Sequence, residues 1–151
     1  MSGHGQLDRL AIAVRAAVAR RTGWLGTARL VASGLERHLP SPSILSTEQR
    51  AGDPERFRSH VLHSEPDGSF SIVALVWRPR QMTRIHDHVT WGAFAVIQVV
   101  EHEELFTLDE EGACPHRHLD SHLRDRRRPA RFERTARLRP PRAARQGGCL
   151  S

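Results

Sequence analysis

The chain has 151 residues, a length that fits one domain with a substantial buried core. Its formal net charge is +6, and all 23 basic residues are arginine. The excess lies at one end: residues 1–116 contain 12 arginines and 14 acidic residues, whereas residues 117–151 contain 11 arginines and three acidic residues. The charge of residues 1–116 therefore does not indicate nucleic-acid binding, whereas the basic tail is compatible with it.

Three features bear on the compartment. No apolar run approaches the roughly 20 residues that a membrane-spanning helix needs, so we expect no membrane association. The N-terminus carries charges within its apolar part, which predicts that it is not a signal peptide. Cys114 and Cys149 are too few for a disulfide framework, which favours a reducing cytoplasm.

Residues 1–56 are predicted to form a helical layer. One apolar stripe at helical spacing lies in Gln6–Arg21 and consists of Leu7, Leu10, Ala11, Val14 and Val18. A second helical pattern follows over Gly26–Leu39, and Pro40 ends it. Ser46, with Gln49 three residues later, is typical of a capping box at the start of a short helix.

The pattern changes to β-structure at residue 57. It predicts a strand, a turn at Pro66–Asp67–Gly68 and an apolar strand from Phe70 to Trp77. Three further strand candidates follow, "MTRIHDHV", "GAFAVIQVV" and "EELFTL". Residues 57–113 therefore predict a mostly β fold class, a small barrel or sandwich preceded by the helices. From residue 114 to 151 no periodicity is sustained, which predicts a disordered Arg/Pro-rich tail.

Two histidines in the third strand candidate suggest a metal site. In a strand, His86 and His88 would project from one face and Asp87 from the other. Two neutral imidazoles on one face can share a divalent first-row metal such as iron, copper or zinc. The alternative is a solvated strand with no ligand role.

Residues 70–108 resemble the central segment of the cysteine dioxygenase family, the cupin-fold thiol dioxygenases. The likeness rests on "DGSFSIVALVW", "IHDHVTW" and "AFAVIQVVEHEEL", which follow one another in the family's order and spacing. The helical preface and "LSTEQRAGDPERFRSHVLH" are similar to bacterial members, so the resemblance covers roughly residues 6–116. It implies a cupin-like, jelly-roll β-barrel, which would be incomplete here because too few strands follow.

The resemblance also implies an activity. Family members hold one Fe(II) through three histidines, and His86 and His88 match two of them. The substrates would be a small thiol, L-cysteine first, and O2, with both oxygen atoms transferred to sulfur to give cysteine sulfinate. Arg58 is the nearest candidate for the arginine that binds the substrate carboxylate, with its register uncertain by one residue. The alternative for Arg58 is a surface arginine at the start of a strand.

The sequence departs from the family at several positions. No late strand supplies the third histidine, and His116, His118 and His122 are the histidines that follow the strand region. The chain has no tyrosine, so the catalytic tyrosine of animal members is absent. Gly92 stands where a cysteine near the iron can occur, which rules out a thioether crosslink. Arg80 and Val99 replace expected turn glycines, although such side chains tolerate positive φ poorly.

Other interpretations stay open at this stage. The chain could be a catalytically inactive cupin remnant that binds metal, or a nucleic-acid-associated protein that uses its basic tail. The tail is also what an out-of-frame reading of a GC-rich gene would encode. Neither the preferred thiol nor the oligomeric state follows from the sequence.

Overall fold

The computed structural model describes residues 3–84, 86, 90–103, 106–108, 115–117, 122–125 and 131–132. The helices are α1 (Gly3–Ala19), α2 (Gly23–His38) and α3 (Thr47–Ala51), with a 3-10 helix at Pro42–Ile44 between the last two. The described strands are β1 (Arg58–Ser64), β2 (Ser71–Val76), β3 (Ala93–Phe94), β4 (Val100–Glu103), β5 (Phe106–Leu108), β6 (Pro115–Arg117), β7 (His122–Asp125) and β8 (Arg131–Phe132). None of the described helices is long and apolar enough to cross a membrane.

Helices α1 and α2 pack against each other and supply most of the core. Leu10 is 1% exposed, and it clusters with Val14, Ala17, Val31 and Phe70. The apolar stripe predicted for the first helix is confirmed, because its members are buried or half-buried. The two helices approach closely at Gly34, where an added Cβ would lie 3.3 Å from the Cβ of Ala13.

The short helix α3 begins with the predicted capping box. The hydroxyl oxygen of Ser46 accepts a hydrogen bond from the backbone N–H of Gln49 at 3.1 Å. In return, the Gln49 Oε1 accepts from the backbone N–H of Ser46 at 2.9 Å. Each bond satisfies a backbone donor that has no partner within the helix, so this sequence signal is confirmed.

Strands β1 and β2 form an antiparallel hairpin, also as predicted. Its turn is closed by Gly68, which has φ +72° and donates its backbone N–H to the Glu65 carbonyl at 2.9 Å. The register places Val61 opposite Val73 and His63 opposite Ile72, with a bulge between them. Phe70 and Ile72 direct one side of the hairpin to the helical core, whereas Val61 and Val73 are exposed on the other side.

The predicted mostly β, cupin-like barrel is wrong. Helices α1, α2 and α3 contain 17, 16 and 5 residues, whereas the two longest described strands, β1 and β2, contain 7 and 6 residues and pair only with each other in a two-stranded antiparallel sheet. Among the described residues, 82–84 and 86 lie outside any strand, although "MTRIHDHV" was expected to be one. Within "GAFAVIQVV", the strand residues are Ala93–Phe94 and the first residue of β4. Among the described residues no third strand pairs with β1 or β2, and Phe70 and Ile72 pack against the helical core, so this part of the chain does not form a barrel.

The remaining described strands are short and pair two by two. Each pairing is antiparallel and joins β3 with β8, β4 with β7 and β5 with β6. The last three strands belong to the segment 114–151, whose other residues lie outside the described part of the chain. The expected disorder of that segment therefore stays a prediction.

Three described residues other than glycine have the backbone conformation that favours glycine: Arg21 has φ +50°, Arg80 has φ +71° and Val99 has φ +62°. Arg80 and Val99 are the positions at which the resemblance led us to expect turn glycines, and the backbone at both has positive φ. For an L-residue this conformation is disfavoured, and for a β-branched side chain such as that of Val99 it is an outlier.

Candidate functional site

His86 lies on an open cleft between the segment before β1 and the segment after β2. The cleft has a volume of about 750 Å³. Its walls include Glu55, Arg56 and Phe57 from the first segment and Arg80, Met82, Arg84 and His86 from the second. The cleft therefore combines cationic side chains with apolar ones.

Gln81 joins the two segments that form the cleft. Its Nε2 donates to the backbone carbonyl of Asp53 at 2.8 Å, and its Oε1 accepts from the backbone N–H of Arg78 at 2.8 Å. The Asp53 carboxylate in turn accepts from the backbone N–H groups of Glu55 at 2.8 Å and Arg56 at 3.3 Å. Because one side chain bonds to both segments, the relative position of the two walls is fixed.

An aromatic pair adds a second connection behind the cleft. The rings of Phe57 and Trp77 stack with centroids 4.4 Å apart and planes 19° apart. Gly52 allows the close approach of the two segments, since an added Cβ would lie 3.3 Å from the Val76 side chain and 3.4 Å from Arg78. Its φ of +65° also favours glycine. The stack gives Trp77 a structural role.

The local geometry of His86 selects one tautomer. Its Nδ1 lies 2.8 Å from the backbone carbonyl oxygen of Arg84. A carbonyl oxygen can only accept, so Nδ1 carries the proton and Nε2 carries the lone pair. Histidine ligands in metalloproteins are commonly oriented by this kind of Nδ1–H bond to a carbonyl, so the donor chemistry of His86 fits a metal ion at Nε2.

The other predicted ligand, His88, lies outside the described residues, and so does His118, one of the later histidines. The backbone of His116 lies in β6 opposite Thr107, and that of His122 lies in β7 opposite Glu103. Among the described residues, no group of three or more His, Cys, Asp or Glu side chains could hold a metal ion.

Arg58 lies at the start of β1, as expected, but its side chain makes a structural contact. Its guanidinium donates to the Asp53 carboxylate and forms an ion pair with it. The Glu55 backbone N–H, and after it the Arg58 guanidinium, hold the pKa of Asp53 below its usual value. Arg58 is not part of the cleft wall, whereas Arg56 is. The substrate role predicted for Arg58 stays a prediction.

Sequence reasoning missed the arginines that share the cleft with His86. Arg56 precedes Phe57, and Arg80 and Arg84 flank Met82. The available signal was the clustering of arginine in "ERFR" and "RPRQMTR", together with the unusual arginine at a turn position. Trp91, which is close to the two histidines in the sequence, packs against the helical core.

A second polar cluster lies away from the cleft. The Glu65 carboxylate accepts two hydrogen bonds from Arg15, at 2.8 Å from Nε and 2.9 Å from Nη2. His63 Nε2 lies 3.0 Å from the same carboxylate, and the His63 ring stacks on Phe70. The bonds from Arg15 and then from His63 lower the pKa of Glu65. These hydrogen bonds connect Arg15 of α1 to Glu65, which follows β1 in the hairpin.

No family model matches the chain.

Proposed function

We propose that the protein oxidises a small thiol with O2 in an Fe(II)-dependent reaction, with L-cysteine as the first candidate substrate. The observation that carries the proposal is the ordered likeness of residues 70–108 to the cysteine dioxygenase segment, centred on His86 and His88. The proposal depends on this local sequence and does not require a cupin barrel.

The iron would be held by His86 through Nε2, by His88, and by a third histidine from His116, His118 and His122. The bond between His86 Nδ1 and the Arg84 carbonyl supports this role, because it orients the ring and leaves the lone pair on Nε2. Bound Fe(II) would supply a centre at which a thiolate and O2 can react.

The chain would contribute binding and orientation of the thiol. Arg58 remains the candidate for the substrate carboxylate, and in that role it would exchange Asp53 for the substrate. The Arg58 side chain is 46% exposed, so water screens its attraction to Asp53. A reducing cytoplasm is the compartment we propose, because two cysteines do not make a disulfide framework and a thiol substrate persists there.

Oxygen uptake by the Fe(II)-loaded protein with L-cysteine tests the proposal. We expect cysteine-dependent uptake above that of free iron, lost in both His86→Ala and His88→Ala. His38→Ala is the matched control, since His38 lies at the end of α2 and away from the cleft, and uptake should be retained. Uptake no greater than that of free iron would contradict the proposal. Stoichiometric iron binding without uptake would instead identify a catalytically inactive metal-binding protein.

Parallel assays with 3-mercaptopropionate and cysteamine would define the thiol. The first substrate keeps the carboxylate and lacks the amine, and the second has the reverse arrangement. If Arg58 binds the carboxylate, Arg58→Gln should raise the KM for cysteine and 3-mercaptopropionate and leave that for cysteamine unchanged. An equal change for all three thiols would contradict a carboxylate-binding role for Arg58.

A further inference from the structure

Three arginines on the cleft have no acidic partner in the described part of the chain. Arg56, Arg80 and Arg84 are all exposed and all contribute to the wall. By contrast, Arg15 and Arg58 each form an ion pair with a carboxylate. Glu55 is the one carboxylate among the described wall residues. The cleft therefore has an excess of positive charge that its own residues do not neutralise.

The arginines are carried on segments whose backbone is held in place. Arg56 donates its backbone N–H to Asp53, and the neighbouring Gln81 fixes the second segment against the first. Arg80 keeps φ +71°, a conformation that is disfavoured for an L-residue. Surrounding contacts must maintain this backbone, so the position of the Arg80 Cα at the cleft is determined by the fold.

The same cleft has an apolar part. Phe57 contributes the ring that stacks on Trp77, and Met82, which is 85% exposed, lies in the same wall. An exposed methionine of this kind adapts its shape to a planar or apolar group. The complementary ligand is therefore an anion joined to an apolar or planar part.

We propose that this cleft binds a phosphoryl-bearing small molecule, with its anionic oxygens on Arg56, Arg80 and Arg84 and its organic part on Phe57 and Met82. One guanidinium fork is sufficient for a single carboxylate, whereas three match the several oxygens and the higher charge of a phosphoryl group. This binding would use the cleft that His86 also lines, but it requires neither iron nor His88.

Calorimetric titration of the metal-free protein at low ionic strength tests the proposal, with inorganic pyrophosphate and ADP as the two probes. We expect both to bind at one site, and ADP to bind more tightly because its base can contact Phe57 and Met82. Tighter binding of ADP would identify a nucleotide-like ligand. Equal binding would identify the phosphate groups alone as the ligand and would overturn the contact with Phe57 and Met82.

The Arg80→Gly variant distinguishes an effect on ligand affinity from an effect on the stability of the fold. Removing the guanidinium should weaken pyrophosphate binding about two- to fivefold, the range of one exposed ion pair. The same substitution should keep or raise the melting temperature, because glycine adopts φ +71° without strain. Arg84→Gln should weaken binding to a similar extent.

Arg20→Gln is the matched control, because Arg20 is exposed at the end of α1 and is not part of the cleft. It removes the same charge and should leave the affinity within error of the parent. No measurable binding of either probe would overturn the proposal. An equal loss in Arg20→Gln and Arg80→Gly would also overturn it, because the attraction would then be one of net charge alone.

Discussion

Replacing Val99 by glycine should stabilise the protein, although it deletes an apolar side chain. Val99 has φ +62°, and holding a non-glycine residue there costs about 1–3 kcal/mol. Glycine removes that cost but adds about 0.5–1 kcal/mol of backbone entropy loss on folding. Val99 is 75% exposed, so its remaining burial contributes only about 0.5 kcal/mol. With the middle of each range, the net expectation is a gain of about 1 kcal/mol, and the limits are a loss of about 0.5 kcal/mol and a gain of about 2 kcal/mol.

The neighbouring residue provides a matched control. Val100 is 58% exposed and begins β4, and it is not among the described residues with positive φ. Val100→Gly gives no relief of strain, so it should lose about 1–2 kcal/mol from backbone entropy and lost burial. The two substitutions delete the same side chain at adjacent positions and are expected to change stability in opposite directions.

Urea denaturation followed by tryptophan fluorescence measures both variants. With the slope of the transition unchanged, the Val99→Gly midpoint should rise and the Val100→Gly midpoint should fall relative to the parent. If both variants lose stability by a similar amount, the left-handed conformation at Val99 does not carry the strain we assign to it, and the reasoning is refuted.

Three further substitutions test the core, the helix cap and the ion cluster. Leu10→Ala should lower the free energy of unfolding, measured by denaturant titration, by about 2–5 kcal/mol because Leu10 is 1% exposed. Ile12 lies on the same helix and is 59% exposed, so Ile12→Ala should lower it much less. Ser46→Ala removes the hydroxyl that accepts from the Gln49 N–H and should lower the free energy of unfolding by about 1 kcal/mol. An unchanged denaturation midpoint would show that this hydrogen bond does not stabilise the protein. Arg15 lowers the pKa of Glu65 in the folded protein. The contribution of Glu65 to the free energy of unfolding is therefore complete above its unfolded-state pKa and is lost as the pH falls through its folded-state pKa. Melting temperatures across the acid range should therefore fall less steeply in Glu65→Gln than in the parent; parallel profiles would refute this.

The local elements of the fold could be predicted from the sequence because their determinants are close in the chain. The stripe through Leu10 and Val14 indicated α1, and Ser46 with Gln49 indicated the cap of α3. Pro66–Asp67–Gly68 likewise predicted the turn between β1 and β2. For the cap and the turn, the hydrogen-bond partners lie within a few residues, and for α1 the apolar spacing alone indicates a helix, although its stripe packs against the distant Val31 and Phe70.

The barrel could not be predicted reliably because a strand depends on distant partners. Residues 70–76 have the apolar run of a central strand, yet β2 pairs only with β1 among the described residues, and the helices cover its buried side. Short apolar segments such as 92–100 are compatible with several backbone conformations, and neighbouring strands decide between them. The fold-class error arose because a family resemblance was extended from local sequence to non-local pairing.

In the candidate site, too, local features could be predicted from the sequence, whereas contacts between distant segments could not. His86 was identified from its spacing to His88, and the structure adds the bond that selects its tautomer. The pairing of Arg58 with Asp53 depends on the conformation of the loop between them, which the Asp53 carboxylate stabilises by accepting from the Glu55 N–H. The spacing of these residues in the sequence does not predict that conformation. Arg56 reaches the cleft because Gln81 fixes two segments that lie far apart in the chain.

The most direct test of thiol oxidation is the origin of the oxygen atoms in the product. The Fe(II)-loaded protein would be supplied with L-cysteine and isotopically heavy O2, and the product would be analysed by mass spectrometry against the His86→Ala variant. The proposed activity predicts cysteine sulfinate that carries two heavy oxygen atoms and is absent with the variant. Cystine as the main product, or sulfinate formed equally by the variant, would contradict the central claim.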